Sequence, residues 1–423
     1  MRVAIIAEVF LPKIDGVVMR TMRLLEHLSE AGDEVVVFCP HAEDCQHPSI
    51  RTVSFPSFPC VAYPEYRIGV PSERLIEVIR EFAPDVIHFL NPFAFGFRCH
   101  DVLARHRISI PTVFSFHTLY GEFVKQYPVL RKLSRPLWHL TRSYHNCADV
   151  NLTVSSILRA ELEQRGFERV RTWPPAVDTQ LFQPKRQSES MRYRLTSGEP
   201  DTPLLLTVSR LAVEKKVDFL AKVIERFPGA RLAIVGDGPD RARLERRFAG
   251  SKTTFTGYLR GQELAQAYAS ADLFLYGSET ETMGNVVMEA MASGLPVLAP
   301  AAGGIPSLMQ DGESGVLYCP GDVDAAQTSL AKLLGSVELR RSLGSRARSH
   351  VERCGWRAST EEVRRRYQEA METLDAAREQ RRVASRCSSL AVSSLVFAFR
   401  SASWLQRSWR SSSSPLATQP SQA

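Results

Sequence analysis

What most constrains this chain is a run of consecutive apolar, largely β-branched residues that ends in a glycine-bearing loop, is followed by a helical period, and recurs. Val3 to Val9 leads into Pro12-Lys13-Ile14-Asp15-Gly16; Leu24, Leu25 and Leu28 then share one helical face, Gly32 closes the segment, and Val35 to Phe38 is the next apolar run. Strand, glycine loop, helix, strand is a βαβ unit. Continuously apolar strands, unlike alternating ones, indicate a parallel sheet covered on both faces. The pattern returns at Val86 to Phe89, Thr112 to Ser115 and Val150 to Thr153. A polar stretch from Gln183 to Thr202, rich in Pro, Ser and Gly, breaks the rhythm and reads as a junction. The rhythm then restarts at Leu204 to Val208, Arg231 to Val235, Leu273 to Tyr276 and Val297 to Ala299. Two doubly wound α/β domains in tandem are the simplest account, with a ligand site expected in a cleft at their carboxyl strand ends. The expected bodies are 1–183 and 184–355. A helical run from Ser359 to Arg382 is expected to return towards the first domain, within a segment 356–383, and 384–423 forms a Ser/Arg-rich tail.

Composition excludes several classes of function. Hydrophobic residues at 44% and charged residues at 23% fit a globular chain, not a disordered, collagen-like or polytopic membrane protein. The formal charge is +7, yet Arg378 to Ala423 alone carries seven arginines against one glutamate, so the body is near neutral and no nucleic-acid-binding surface is implied. None of the eight cysteines shows C-x-x-C or zinc-like spacing, which suits small buried residues in a reducing compartment. Glu8 interrupts the first apolar run, too early for a secretory leader, so a cytosolic location is expected. In the tail, Leu390 to Phe399 is flanked by Arg386 and Arg400; it is too short to span a bilayer and reads either as a surface-lying anchor or as an extension without a role.

The densest chemistry lies in Ser278 to Val297. A strand ends at Tyr276, and a loop rich in Ser, Glu, Thr and Gly opens a helix that stops at Gly294. A helix start offers unpaired N–H groups and partial positive charge, which suits a diphosphate. Glu281 and Glu289 stand about two helical turns apart, so one can reach a sugar at the helix start while the other accepts from ribose hydroxyls. The plainer alternative makes Glu281 a first-turn dipole residue and Glu289 part of a solvated face. Arg210 and Lys215 bracket a turn after a strand and could neutralise a leaving diphosphate, although Lys215 and Lys216 could equally be solvated loop charges. Gly236-Asp237-Gly238 permits either close approach to a ligand or only a tight turn. His117, beside Thr118 at a strand end, is either a structural or a functional histidine. Asp322-Val323-Asp324 has the letters of a metal–diphosphate clamp, but its place before a helical stretch reads as an N-cap, and no metal is assigned.

Together these segments resemble the retaining GT-B glycosyltransferases of glycosyltransferase family 4. The pair Glu281/Glu289, the pair Arg210/Lys215, the Gly16 loop and His117 fall in the family's chain order from about Arg2 to the helix after Trp356. The resemblance implies two Rossmann-like domains facing a cleft, the second binding most of a nucleotide-sugar donor and the first an acceptor. Within the family the chain looks like the sulfoquinovosyl transferases of sulfolipid synthesis. The strings that carry this are Glu8 to Gly16, Ser115-Phe116-His117-Thr118, Val213-Glu214-Lys215-Lys216, Phe255 to Leu264, Ala267-Tyr268-Ala269-Ser270 and Ala302-Gly303-Gly304-Ile305-Pro306. Trp173-Pro174-Pro175-Ala176 stands where those relatives carry a basic residue and Gly, and Leu119 where they usually place a second His.

The resemblance implies UDP-sulfoquinovose as donor, diacylglycerol as acceptor, peripheral contact with a membrane surface, and neither metal nor cofactor. Donor contacts are expected from Gly16, Arg210, Lys215, Gly238, Leu259, Glu281, Met283, Gly284, Asn285 and Glu289. Glu281, His117, Arg210 and Lys215 are expected to act in the transfer. Lys13 and Arg20 are candidates for the sulfonate, which needs positive charge and hydrogen-bond donors. The rivals are a sister enzyme using GDP-mannose or UDP-glucose, a nucleotide-sugar 2-epimerase, and a non-catalytic nucleotide-sugar sensor.

Overall fold

The computed structural model describes residues 1–12, 16–41, 50–60, 63–126 and 131–373. Lys13 and the tail with its apolar patch lie outside these residues, as does the part of the expected Ser359–Arg382 helix beyond residue 373.

The strands are β1 (Arg2–Ala7), β2 (Glu34–Cys39), β3 (Ile50–Ser54), β4 (Ser57–Cys60), β5 (Tyr63–Gly69), β6 (Val86–Leu90), β7 (Thr112–Ser115), β8 (Val150–Thr153), β9 (Val170–Thr172), β10 (Leu204–Val208), β11 (Arg231–Val235), β12 (Thr253–Gly257), β13 (Leu273–Leu275), β14 (Val297–Pro300) and β15 (Val316–Tyr318). One sheet has the order β3-β2-β1-β6-β7-β8-β9, a second β12-β11-β10-β13-β14-β15, and β4 and β5 form an antiparallel pair. In each large sheet the first strand of its half of the chain sits centrally: Ile5 pairs with Val37 on one side and His88 on the other, and Leu206 with Ala233 and Phe274, all in parallel register. Sequence order changes direction beside β1 and beside β10, the doubly wound arrangement.

Every apolar run read as a strand is one. The strands not anticipated include β3, β9, β12 and β15, which are the sheet edges. An edge strand is covered less completely, so its sequence need not be continuously apolar. Thr253–Gly257, half-buried throughout, is an example.

The described residues of Met1–Ser115, His139–Val150 and Tyr367–Ala423 make one compact unit, and Phe116–Trp138 with Asn151–Arg366 a second. In the first, Glu8 follows β1 directly and is buried. Its carboxylate accepts N–H bonds from Phe93, Phe95 and Gly96 at 2.8 to 2.9 Å, with the Tyr66 hydroxyl also donating to it. It thereby caps the helix Ala94–Arg105. His88 on β6 meets the Tyr367 hydroxyl at 2.8 Å through Nδ1 and Ser115 at 2.9 Å through Nε2. Burial holds that imidazole down to about 3, so it is neutral.

In the second unit, the stretch expected as a junction contains a helix, Glu189–Leu195. Ser188 caps it by accepting the Met191 N–H, and Met191 and Leu195 enter the core. Arg192 ties it down to Pro200, Thr202 and Ser270 carbonyls and to Asp272. Its many polar residues are caps and anchors. Asp322 is the N-cap that its position suggested: its side chain accepts the Ala325 N–H at 2.9 Å and starts the helix Val323–Gly335.

Candidate active site

The site grows from three loops of the second unit, each at the carboxyl end of a parallel strand. After β10, Ser209 to Lys216 makes a short turn; after β13, Tyr276 to Gly284 leads into the helix Asn285–Ala292; after β14, Ala301 to Gly304 forms the third loop. Charge and backbone contact join them. Lys215 Nζ donates to Glu281 Oε1 at 2.5 Å, Lys216 pairs with Glu279, and the Thr280 hydroxyl donates to the Glu214 carbonyl at 3.3 Å. The two lysines are thus paired with the acidic loop, not left as solvated charges.

Glycines bring the third loop in. Gly304 N–H donates to the Glu281 carbonyl at 2.7 Å. A Cβ on Gly303 would lie 2.3 Å from the Glu281 carbonyl oxygen, and one on Gly304 2.1 Å from that of Thr282. Only glycine allows this approach, so the backbone that carries Glu281 is pressed into one place. Gly238 works similarly against the loop after β10: a Cβ there would meet the Leu211 carbonyl oxygen at 2.3 Å. Its glycine requirement comes from packing the β11 loop on the β10 loop, with Leu211 N–H donating to Asp237 O at 2.9 Å.

Glu281 is taken out of water, which pushes its carboxyl pKa up. Lys215 beside it, with the Tyr276 hydroxyl donating to the same Oε1 at 2.7 Å, outweighs burial and leaves the group below the ordinary carboxylate value. Glu289 behaves oppositely. Burial dominates, the Tyr268 hydroxyl at 2.8 Å offsets only part of it, and the group is raised to about 7. Glu289 is therefore not a solvated-face residue, and the two glutamates of the E-x7-E pair differ in ionisation near neutral pH.

His117 also belongs to this unit. Its carbonyl accepts the Thr282 hydroxyl at 2.8 Å, and its ring lies edge-on to Trp173 at 5.3 Å. The next loop residue, Met283, is buried with Phe116, Val154 and Leu158, and Leu119 packs on the same cluster. Trp173 is fixed in turn: its Nε1 donates to Ser359 Oγ at 3.0 Å, and that hydroxyl donates to the Pro174 carbonyl at 2.7 Å. The Trp173-Pro174 departure is thus strapped to the helix Trp356–Glu372.

The remaining residues scatter more. Arg210 is half-buried just past β10. Gly284 precedes the helix Asn285–Ala292, and Asn285 in its first turn has a buried Oδ1 with no hydrogen-bond partner among the described residues, an acceptor suited to a ligand hydroxyl. Leu259 puts its side chain into the core, leaving its backbone for any ligand. Gly16 opens the helix Gly16–Glu30 in the first unit. Arg20, on that helix, is buried, and desolvation lowers it to about 9. Among the described residues no group of three or more His, Cys, Asp or Glu could hold a metal ion. Sequence reasoning did not reach Tyr276, Tyr268, Lys216 or Glu279 as partners: Lys216 meets Glu279 between the loops after β10 and β13, Tyr268 reaches Glu289 from the separate helix Gly261–Ala269, and Tyr276 sits at the end of an apolar strand.

The sequence matches two family models in succession, Glycosyltransferase Family 4 over residues 14–181 and Glycosyl transferases group 1 over residues 202–336. It is 39% identical over 360 residues to Sulfoquinovosyl transferase SQD2 of Arabidopsis thaliana, covering 83% of this chain and 70% of that one. It is 38% identical over 332 residues to GDP-mannose-dependent alpha-mannosyltransferase of Mycobacterium tuberculosis, covering 76% and 85%. Among solved structures, sucrose-phosphate synthase from Thermosynechococcus elongatus superposes with a TM-score of 0.72 at 23% identity, covering 87% of this chain and 98% of that one, a likeness of fold. Two parallel α/β sheets, an E-x7-E pair on the loop and helix after β13, and relatives this similar over most of their length lead to one conclusion: the chain belongs to glycosyltransferase family 4 and is a hexosyltransferase of GT-B fold.

Proposed function

We propose that this enzyme moves sulfoquinovose from UDP-sulfoquinovose to diacylglycerol, with retention at the anomeric carbon and without a metal. The observation that carries the reading is the 39% identity to a sulfoquinovosyl transferase over 83% of the chain. The chemistry of the second unit is compatible with it. Arg210 and Lys215, with amides at the start of the helix Asn285–Ala292, hold the diphosphate and stabilise the charge that develops as the glycosidic C–O bond breaks. Glu281 binds donor-sugar hydroxyls, Glu289 the ribose, and His117 orients the sugar. The Gly238 and Leu259 backbones lie at the uracil. The lipid hydroxyl attacks the face from which UDP leaves, and a departing phosphate oxygen takes its proton.

Lys13 and Arg20 are the proposed sulfonate partners. A lipid acceptor implies peripheral contact with a membrane surface; among the described residues no helix is long and apolar enough to cross one.

A second reading, mannosyl transfer from GDP-mannose, is favoured by the 38% identity to the mycobacterial enzyme. A donor–acceptor matrix separates the two. UDP-sulfoquinovose, UDP-glucose and GDP-mannose are each offered with and without diacylglycerol vesicles, and lipid products are read by mass spectrometry. A sulfonated glycolipid formed only from the first donor supports the proposal; product from GDP-mannose alone replaces it. Lys13→Ala and Arg20→Ala variants with unaltered preference for the sulfonated donor would remove the sulfonate assignment.

A further inference from the structure

We propose that Tyr276 is a positioning residue of the transfer reaction: its hydroxyl fixes the orientation of the Glu281 carboxylate when Lys215 turns from that carboxylate to the donor's diphosphate. The inference rests on the role given above to Glu281, not on which sugar is transferred.

Glu281 Oε1 accepts two hydrogen bonds, one from Lys215 at 2.5 Å and one from Tyr276 at 2.7 Å. The two donors differ in mobility. Lys215 reaches the carboxylate with a flexible side chain that is 25% exposed, and its ammonium is a point charge that an arriving diphosphate attracts more strongly than one carboxylate does. Tyr276 cannot follow. It is 2% exposed, its N–H donates to the Leu298 carbonyl at 2.9 Å, and its carbonyl accepts the Tyr318 hydroxyl at 2.7 Å. Its ring stacks on Phe274 with centroids 5.7 Å apart. Burial and the neighbouring carboxylates hold its phenol far above the ordinary value, so it always carries the proton it donates.

A carboxylate that loses its lysine keeps this rigid donor, and a sugar hydroxyl then meets it in a fixed orientation. Besides Lys215 and Tyr276, the polar side chains acting on Glu281 are the Ser278 hydroxyl on its own loop and, through Tyr276, Glu289 on the following helix.

The test compares wild type with Tyr276→Phe, using whichever of the three donors the wild type turns over. The expected result is a fall in kcat of about tenfold or more with donor KM changed far less, as for loss of a hydrogen bond to a charged group. The acid limb of the kcat/KM profile should also move to higher pH, because the phenol favours the ionised carboxylate. In a Glu281→Gln background the same substitution should cost little more, since its effect passes through Glu281. Should the donor assay yield no product for wild type, the pH dependence of urea unfolding serves instead: the loss of stability in Tyr276→Phe must be larger at pH 7 than at pH 3. An unchanged kcat and acid limb, a cost that simply adds to that of Glu281→Gln, or an unfolding difference independent of pH would overturn the proposal. A wild type that uses only GDP-mannose would overturn the sulfolipid reading and leave this one standing.

Discussion

Glu8, one residue past β1 in the first unit, and Glu281, in the loop past β13 in the second, are both carboxylates taken out of water at a strand's carboxyl end, and they come to opposite states. Among the described residues Glu8 has only neutral donors, three backbone N–H groups and a phenol. Burial outweighs them, and its pKa is raised. Glu281 has fewer partners, but one is the Lys215 ammonium, and its pKa is lowered in spite of burial. A nearby full charge decides what several neutral hydrogen bonds do not. Glu289 repeats the lesson eight residues further on: with Tyr268 as its partner and no cation bonded to it among the described residues, it is raised to about 7. The first unit uses its glutamate to hold a helix, and the second keeps one ionised beside a cation.

The contrast predicts where each loss is felt. Glu281→Ala should have the largest effect on turnover, lowering kcat by about 10²- to 10³-fold, with a smaller loss of stability at neutral pH as Lys215 and the Tyr276 hydroxyl lose their shared acceptor. Unchanged kcat in steady-state assays would remove it from the reaction. Glu8→Ala should reverse the pattern: three helix N–H groups lose their acceptor, costing roughly 3 kcal/mol in urea unfolding, while kcat per folded molecule stays close to wild type. A Glu8 variant that kept its stability but lost turnover would break the comparison.

Lys215→Met should make Glu281 resemble Glu8. With the ammonium gone, burial raises the carboxyl pKa, so the acid limb of kcat/KM moves to higher pH and the rate at neutral pH falls about tenfold or more. The sign for stability follows from the same shift. A lowered carboxylate contributes stability above its unfolded value of 4.5 that disappears as pH falls through the folded value, and the variant should lose that contribution.

The smallest effect belongs to Glu289. Raised to about 7, it favours the folded state most fully below 4.5, and this contribution declines as pH rises through about 7. Its ionisation should also sharpen ribose binding, so donor KM should fall a few-fold across that range. Glu289→Gln should flatten both dependences. A pH-independent donor KM in the wild type would separate Glu289 from the ribose.

Much of this could be read without coordinates, for identifiable reasons. Strands such as Leu273–Leu275 and Val297–Pro300 were legible because both faces are covered and their residues are apolar throughout. Asp322 was legible as a cap because capping is local in sequence. The edges β3, β9, β12 and β15 were not, since one side lacks a neighbour. The helix Glu189–Leu195 inside the Gln183–Thr202 junction was not legible, because Ser188 and Arg192, polar in sequence, are anchors in space. Around the proposed site, the helix start and the pair Glu281/Glu289 carried enough local pattern to be singled out as candidates. Tyr276 and Tyr268 did not, because a phenol in an apolar strand or helix looks like core until its hydroxyl is seen to meet a carboxylate.

The sequence by itself determined the α/β class, the central strands and the Asp322 cap, and it singled out candidate residues for a diphosphate and sugar site. Those properties follow from hydrophobic period and local backbone chemistry, which act over a few neighbouring residues. Only the tertiary structure decided which of two similar glutamates stays ionised. It did so by bringing Lys215 and Tyr276 to the same oxygen of Glu281 and leaving Tyr268 on Glu289. A pKa depends on charges and burial within a few ångströms, and those distances are set where loops and helices from separate parts of the sequence pack together.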